Sequence, residues 1–344
     1  HEQLDRVVAG FAVDLDELRA FRDKLELPVP DDKLHEAPFY HPGMDSPEVE
    51  YMLERRRQLG GVIPSRRTSA QVQVELPDGK FYDEFDAGMA KGEASTTMVF
   101  ARLLAKLIRD KKLGRRVVPI IPDEARTFGL DALFGQVGIY AAQGQLYEPI
   151  DKGKLLYYKE SKDGQVLQEG ITEAGAMASW TAAATAYSVQ NEPMIPFYIF
   201  YSMFGFPRVG DQIWAAGDQM ARGFLLGATA GRTTLNGEGL QHEDGHSLLN
   251  AMAFTSVKAY DPAFAYELAT IIEDGMRRMY TDGENIFYYI TVYNENHAMP
   301  PIPGHANWAA ATGRDADPEL LAQVKQGIIR GIYRYSEAAE KQAK

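Results

Sequence analysis

The chain has 344 residues, 45% of them hydrophobic and 24% charged, enough to bury a sizeable core and, on the usual size range, to form about two domains. A formal charge of −12 argues against a nucleic-acid partner, because affinity for a phosphate backbone is built on lysine and arginine clusters. The absence of cysteine excludes a disulfide scaffold and a thiol nucleophile, and no run of about 18 uncharged apolar residues suggests a membrane span. The first residues carry no signal-peptide core, so the expected compartment is the cytoplasm. A start at His1 without methionine suggests a processed or partial chain.

Residues 1–72 are rich in charge and proline. Asp14 to Leu25 has apolar residues at helical spacing, and the Pro28-Val-Pro30 string after it is extended, so the segment reads as a connector rather than a domain. From Glu93 onward helix and strand alternate. Ser95 to Arg109 predicts a helix capped by Ser95 with Val99, Leu103, Leu107 and Ile108 on its buried face. The basic knot Lys111 to Arg116 fits the solvated end of that helix and its turn. Val117 to Ile121 predicts a short strand that ends just before Asp123 and Glu124.

Further uniformly apolar strands are expected at Ile195 to Phe200, Gly223 to Gly227 and Ile286 to Val292. Helices are expected at Glu173 to Ala186, Asp211 to Ala221, Phe264 to Met279 and Pro318 to Glu337. Strands apolar on both faces and separated by helices argue an α/β fold, a mainly parallel sheet covered by helices on both faces. Ligands of such sheets sit beyond the carboxyl ends of the strands, where Asp123, Glu124 and Phe204 fall. Two long connections, Gln143 to Tyr158 and Gly231 to Ser247, break the rhythm and read as functional loops or solvated surface.

Leu167-Gln-Glu-Gly-Ile-Thr-Glu-Ala-Gly175 stands out, since it sets Glu173 at a strand-to-helix junction between glycines. Thr172 followed by an acid ahead of an alanine-rich helix is also what an ordinary helix start looks like. His242-Glu-Asp-Gly-His246 spells the HExxH pattern of zinc hydrolases, which needs both histidines on one face of a regular helix. Gly245 inside the motif and Asn236-Gly-Glu-Gly239 before it weaken such a helix, and no third ligand is evident, so no metal site is expected.

Four segments resemble the homodimeric bacterial pyruvate dehydrogenase E1 component, in that family's order: Asp123 to Gly129, Leu167 to Gly175, Pro193 to Gly205, and Gly231 to His246. The resemblance implies a thiamine-diphosphate-binding, transketolase-like pyrimidine domain at 73–305. It makes 1–72 a connector from a diphosphate-binding domain and 306–344 a linker and helix leading to a further domain. Glu173 matches the family's catalytic glutamate, which needs a dry pocket and a raised pKa to hold a proton for part of the cycle. His242 matches an active-site histidine facing pyruvate. Phe204 matches the ring that stacks on the cofactor's pyrimidine, within a segment that includes Tyr201. Ile171 matches the apolar support of the bent cofactor, and Asp123 and Glu124 match acidic residues of the same cleft. Without the resemblance, Phe204 and Ile171 read as core, and Asp123 and Glu124 as helix-start charges.

The expected cofactor is thiamine diphosphate with Mg²⁺. The family's Gly-Asp-Gly anchor is missing here, so the diphosphate and Mg²⁺ are expected to be held outside this chain. The expected activity is oxidative decarboxylation of pyruvate, an oxidoreductase step of the pyruvate dehydrogenase complex that leads from glycolysis to acetyl-CoA. The expected partners are another E1 copy, or its diphosphate-binding domain, and the E2 dihydrolipoyl acetyltransferase with its lipoyl domain. The first dozen residues depart from the family, which leaves His1 without an assignment. A non-catalytic assembly subunit of the same fold is the alternative reading.

Overall fold

In a computed structural model, residues 14–58, 60–62, 66–122, 125–150, 158–232 and 239–336 are described. His1, Asp123 and Glu124 lie outside them. The chain divides into two compact units, His1–Ser65 and Arg66–Lys344. In the first, helices α1 (Leu15–Lys24) and α2 (Pro47–Gln58) flank a 3₁₀ turn at Asp31–Glu36. Asp14 caps α1, and Arg22 in its last turn holds the following segment through Val29 O and Asp31. No residue of α1 is buried.

The second unit is built on six parallel strands. In chain order the strands are β1 (Val117–Ile121), β2 (Ile139–Tyr140), β3 (Glu160–Ser161), β4 (Leu167–Gln168), β5 (Ile195–Tyr201), β6 (Phe224–Ala228), β7 (Val257–Tyr260) and β8 (Phe287–Thr291). The main sheet has the order β4-β1-β5-β6-β8-β7, while β2 and β3 form a separate parallel pair. Every residue of β1, β6 and β8 is buried, as is all of β5 except its last residue, Tyr201. Strands buried on both faces carry no polar alternation, which is why they read as continuous apolar runs.

The helices that cover this sheet are α3 (Thr96–Arg109), α4 (Glu173–Ala184), α5 (Gly205–Asp218), α6 (Ser247–Met252), α7 (Ala265–Tyr280) and α8 (Pro318–Ile329). The two-residue period of a strand sends neighbours to opposite layers. Along β5, Phe197 meets Phe100 of α3, whereas the Tyr198 hydroxyl donates to Glu173 O of α4. Along β8, Phe287 meets the edge of Trp180 in α4 at 5.3 Å, and the Tyr288 hydroxyl donates to Asp274 of α7 at 3.0 Å. Trp180 is fully buried, and its indole N–H donates to Phe224 O, so this large ring joins α4 to β6 without leaving a donor unpaired.

The predicted helix at Ser95 to Arg109 is present, with the Ser95 hydroxyl accepting from Met98 N at 3.1 Å. Strands β4 and β7 carry too short a pattern to be read from sequence, at two and four residues. Helix α5 begins six residues before the expected Asp211, at Gly205. Pro207 reads as a break, but in the first turn its missing N–H falls among donors that have no helical acceptor anyway. Among the described residues no helix is long and apolar enough to cross a membrane.

Gly205 is where β5 hands over to α5. A Cβ built on it would lie 2.0 Å from the ring of Phe200, which is fully buried, so only glycine lets the helix start this close to the strand. Gly205→Ala is expected to cost about 1–3 kcal/mol, the usual penalty for overpacking a core. A lowered urea midpoint, partly restored by adding Phe200→Leu, would show it; an unchanged midpoint would mean that the junction can yield.

Candidate functional site

The site is built at the carboxyl ends of β4 and β5. After β4, Gly170 takes a left-handed φ of 70°, and the chain enters α4 through Thr172, whose hydroxyl accepts from Gly175 N at 3.3 Å. Glu173 is therefore the first residue of α4, at the positive end of the helix dipole. Ile171, just before the cap, is 79% exposed. It is not a core residue, so the core reading available from sequence is corrected: no described layer packs over this side of the junction.

From β5 come Tyr201 and Phe204. Phe204 occupies the N-cap position of α5, and its carbonyl accepts from Arg208 N at 3.1 Å, one turn on. Helical side chains lean toward the N-terminus, so residue i+4 lies over residue i. The Arg208 guanidinium accordingly sits over the Phe204 ring, 4.1 Å from its centroid, and also bonds the Glu173 carboxylate. The Glu173 side chain is 16% exposed and that of Arg208 46%. Where a dry pocket is expected, the Glu173 side chain is mostly buried. The carboxylate meets a half-exposed cation, because α5 starts early enough to bring Arg208 alongside it.

His242 ends a 3₁₀ turn at Leu240–His242 and closes the group. Its imidazole centroid lies 4.8 Å from that of Tyr201 and 5.5 Å from that of Phe204. Tyr201 in turn meets Phe204 edge-on at 6.3 Å and Phe128 at 5.1 Å. Four of the residues singled out from sequence (Glu173, Tyr201, Phe204 and His242) therefore lie in one connected cluster, linked through Arg208. Asp123 and Glu124 cannot be placed in it, since they fall outside the described residues.

The zinc-signature spacing does not form the helix that such a site needs. His242 closes a 3₁₀ turn, Glu243 is extended, and α6 starts only at Ser247, so the two histidines belong to different segments. Among the described residues no three His, Cys, Asp or Glu side chains converge. Asp244, between them, is buried and serves the structure: its carboxylate accepts from His246 N and Ser247 N, both at 3.0 Å, and from the Ser247 hydroxyl. Asp244 N donates to Gly231 O, and His246 lies with Nδ1 3.5 Å from Asp244 and Nε2 3.3 Å from Met203 O, in the turn after β5. The turn that carries His242 is thereby tied to the end of the strand that carries Tyr201 and Phe204. Burial opposes the Asp244 charge, but the hydrogen bonds from Ser247 and the two backbone amides outweigh it and hold the carboxyl below its ordinary range.

Sequence reading missed Arg208 and the structural roles of Asp244 and His246. For Arg208 a signal was present: an arginine four residues after an aromatic, on what proves to be one helix. No comparable signal marks Asp244, whose partners are two backbone amides and the Ser247 hydroxyl.

The family described as pyruvate dehydrogenase E1 component middle domain matches residues 74–300. The pyruvate dehydrogenase E1 component of Pseudomonas aeruginosa is 53% identical over 321 residues, which cover 93% of this chain and 34% of that protein. Those of Mycobacterium tuberculosis and Escherichia coli K12 are 54% and 47% identical over 331 and 323 residues, covering 95% and 94% of this chain and 34% of each relative. The chain therefore spans about a third of the length of the curated relatives it matches. Among solved structures, the transketolase from Leishmania mexicana superposes with a TM-score of 0.50 at 13% identity, over 70% of this chain and 30% of that one. At that identity the likeness is one of fold.

Because the folded Asp244 carboxyl is held below its unfolded value, its stabilisation is complete above about pH 3.9 and fades as pH falls through the folded value. Asp244→Asn is expected to cost about 1.5–3 kcal/mol at pH 7, the scale of hydrogen bonds to a buried charge. Urea unfolding of both proteins between pH 7 and pH 3 should show the gap closing at the acid end; a constant gap would remove the charge as its cause.

Proposed function

The chain belongs to the pyruvate dehydrogenase E1 component family, and from that premise we propose that it supplies the pyrimidine half of a thiamine-diphosphate site. The whole enzyme, in this reading, is a cytoplasmic homodimer. It decarboxylates pyruvate oxidatively and passes the acetyl group to the lipoyl group of E2, the dihydrolipoyl acetyltransferase. The observation that carries the reading is the convergence of Glu173, Phe204, Tyr201 and His242 within one cluster at the carboxyl ends of β4 and β5.

These residues suit the cofactor. A carboxylate beside a flat aromatic face is what an aminopyrimidine needs, since one holds a ring nitrogen and the other stacks. When bound, thiamine diphosphate supplies the carbon nucleophile and the electron sink that pyruvate decarboxylation requires. Glu173 would share a proton with a pyrimidine nitrogen, Phe204 would lie against the ring, and Tyr201 would back Phe204. The exposed Ile171 would give apolar support from the junction before α4. His242, within ring contact of both aromatics, would offer an N–H to the pyruvate carboxylate or to an oxygen that gains charge. Asp123 and Glu124 are assigned to the same cleft on resemblance alone.

The 344 residues contain no Gly-Asp-Gly triplet. The diphosphate and Mg²⁺ are therefore assigned to polypeptide outside them, either the partner copy or its diphosphate-binding domain, which is also how a cofactor comes to lie between subunits. Residues 73–305 are proposed as the pyrimidine domain, 1–72 as the connector leading into it and 306–344 as the segment leading out.

Isothermal titration of the 344-residue chain alone is expected to show weak or no binding of thiamine diphosphate, whereas supplying the diphosphate-binding partner should restore it. Tight Mg²⁺-dependent binding by the lone chain would refute the division of labour. In the assembled enzyme, Glu173→Gln should slow hydrogen–deuterium exchange at the thiazolium C2 by about 10²–10⁴, the usual worth of a positioned proton-transfer group, while circular dichroism stays unchanged. Exchange at the wild-type rate would remove Glu173 from the chemistry.

A further inference from the structure

Helix α8 is seated on the domain through an unbalanced set of charges. Lys325 adjoins its buried residues Val324 and Ile328, and the lysine ammonium reaches two carboxylates of other segments. One belongs to Asp86, at the end of a short helix at Asp83–Asp86, 2.7 Å away; the other belongs to Glu273 of α7, at 3.7 Å. Two acids against one lysine leave a negative charge over. Asp86 is 5% exposed, and its Oδ1 is buried with no hydrogen-bond partner.

The neighbouring groups do not make up the difference. His305 is engaged by Asp83, with Nε2 3.3 Å from Asp83 Oδ1, while its Nδ1 accepts from Asn307 N. Asp274 adds a further acid beside Glu273, but its own partners are Arg277, Arg278 and the Tyr288 hydroxyl. The Tyr82 hydroxyl, which also faces Glu273, donates to Met276 Sδ at 3.8 Å. The backbone holds the arrangement in place: Ile302 N donates to Asp86 O, and Asp317 N, at the start of α8, donates to Gly304 O, both at 2.9 Å.

Excess charge in a partly dry site is relieved most simply by a proton. We propose that the seating of α8 on α7 is proton-linked: Asp86 and Glu273 hold one proton between them while Lys325 lies across them, and the helix loosens as that proton leaves. Burial is the first cause that raises both carboxyls above their ordinary range, and Lys325 offsets it only in part. Groups raised in the folded state stabilise it fully below their unfolded values, about pH 4, and that contribution fades as pH rises through the folded values. Acid therefore tightens α8, and alkali frees it. The segment so controlled lies within 306–344, proposed above as leading out of the pyrimidine domain, and the inference stands apart from the cofactor reading.

Hydrogen exchange of the α8 amides in the 344-residue chain tests this. Each rate is divided by the intrinsic rate at the same pH, and the amides of α3 serve as the reference. In the wild type, α8 protection relative to α3 should fall as pH rises from 5 to 8, by up to about tenfold per pH unit where the proton leaves. Glu273→Gln removes one charge and keeps the shape, so its profile should be flat, with roughly threefold or greater extra protection at pH 8. Lys325→Met keeps an apolar stem and should lose roughly tenfold or more of the protection at pH 8, regaining part of it at pH 5. A flat wild-type profile would overturn the linkage. So would a wild-type slope that persists in both Glu273→Gln and Asp86→Asn, since the titrating group would then lie elsewhere. If Lys325→Met leaves α8 unseated at every pH, the profiles of the wild type and Glu273→Gln still decide.

Discussion

Burial of the main sheet on both faces is the constraint from which the rest follows. With β1, β6 and β8 wholly buried, as is β5 up to Phe200, their residues are given over to packing. Polar chemistry has to be placed where the strands end and their backbone partners run out. Parallel strands all end on the same side, so the turns after β4 and β5 open at the same edge of the sheet, flanking β1. Tyr201, the last residue of β5 and the only one not fully buried, marks that border.

The cluster at this border is held by modest forces. A half-exposed ion pair contributes about 0–1 kcal/mol and an exposed cation–π contact about 0.5–1 kcal/mol. Arg208 joins Glu173 to Phe204 through these two contacts. The turn carrying His242 is fixed differently. There, a buried carboxylate collects two backbone amides and a hydroxyl, and His246 reaches across to Met203 O. Phe204 thus meets the Arg208 guanidinium over its ring and the His242 imidazole in a T-shaped contact.

Under the proposed reading, the composition of the site suits a half rather than a whole. It offers a carboxylate, aromatic faces, an imidazole and an exposed isoleucine, which suit the flat, partly apolar end of a cofactor. The chain spans about a third of its relatives' length, and its family match covers the middle domain. Under the proposed reading of a site shared between domains, the isoleucine that is 79% exposed beside Glu173 would lie at the seam.

Much of this was legible in the residue order. The all-apolar runs gave the buried parallel strands, Ser95 gave the start of α3, and the strings around Glu173, Phe204 and His242 gave the family, because those patterns are local and survive without coordinates. Strands β4 and β7 were not legible: two and four residues are too few for a period to show. The early start of α5 was hidden by Pro207, whose harmlessness depends on where in the helix it falls. The pairing of Glu173 with Arg208, the anchoring of the His242 turn by Asp244 and the exposure of Ile171 were decided by the tertiary structure alone. The Glu173–Arg208 pair joins two turns 35 residues apart in the chain, brought together by the parallel strands, and no local pattern encodes that distance.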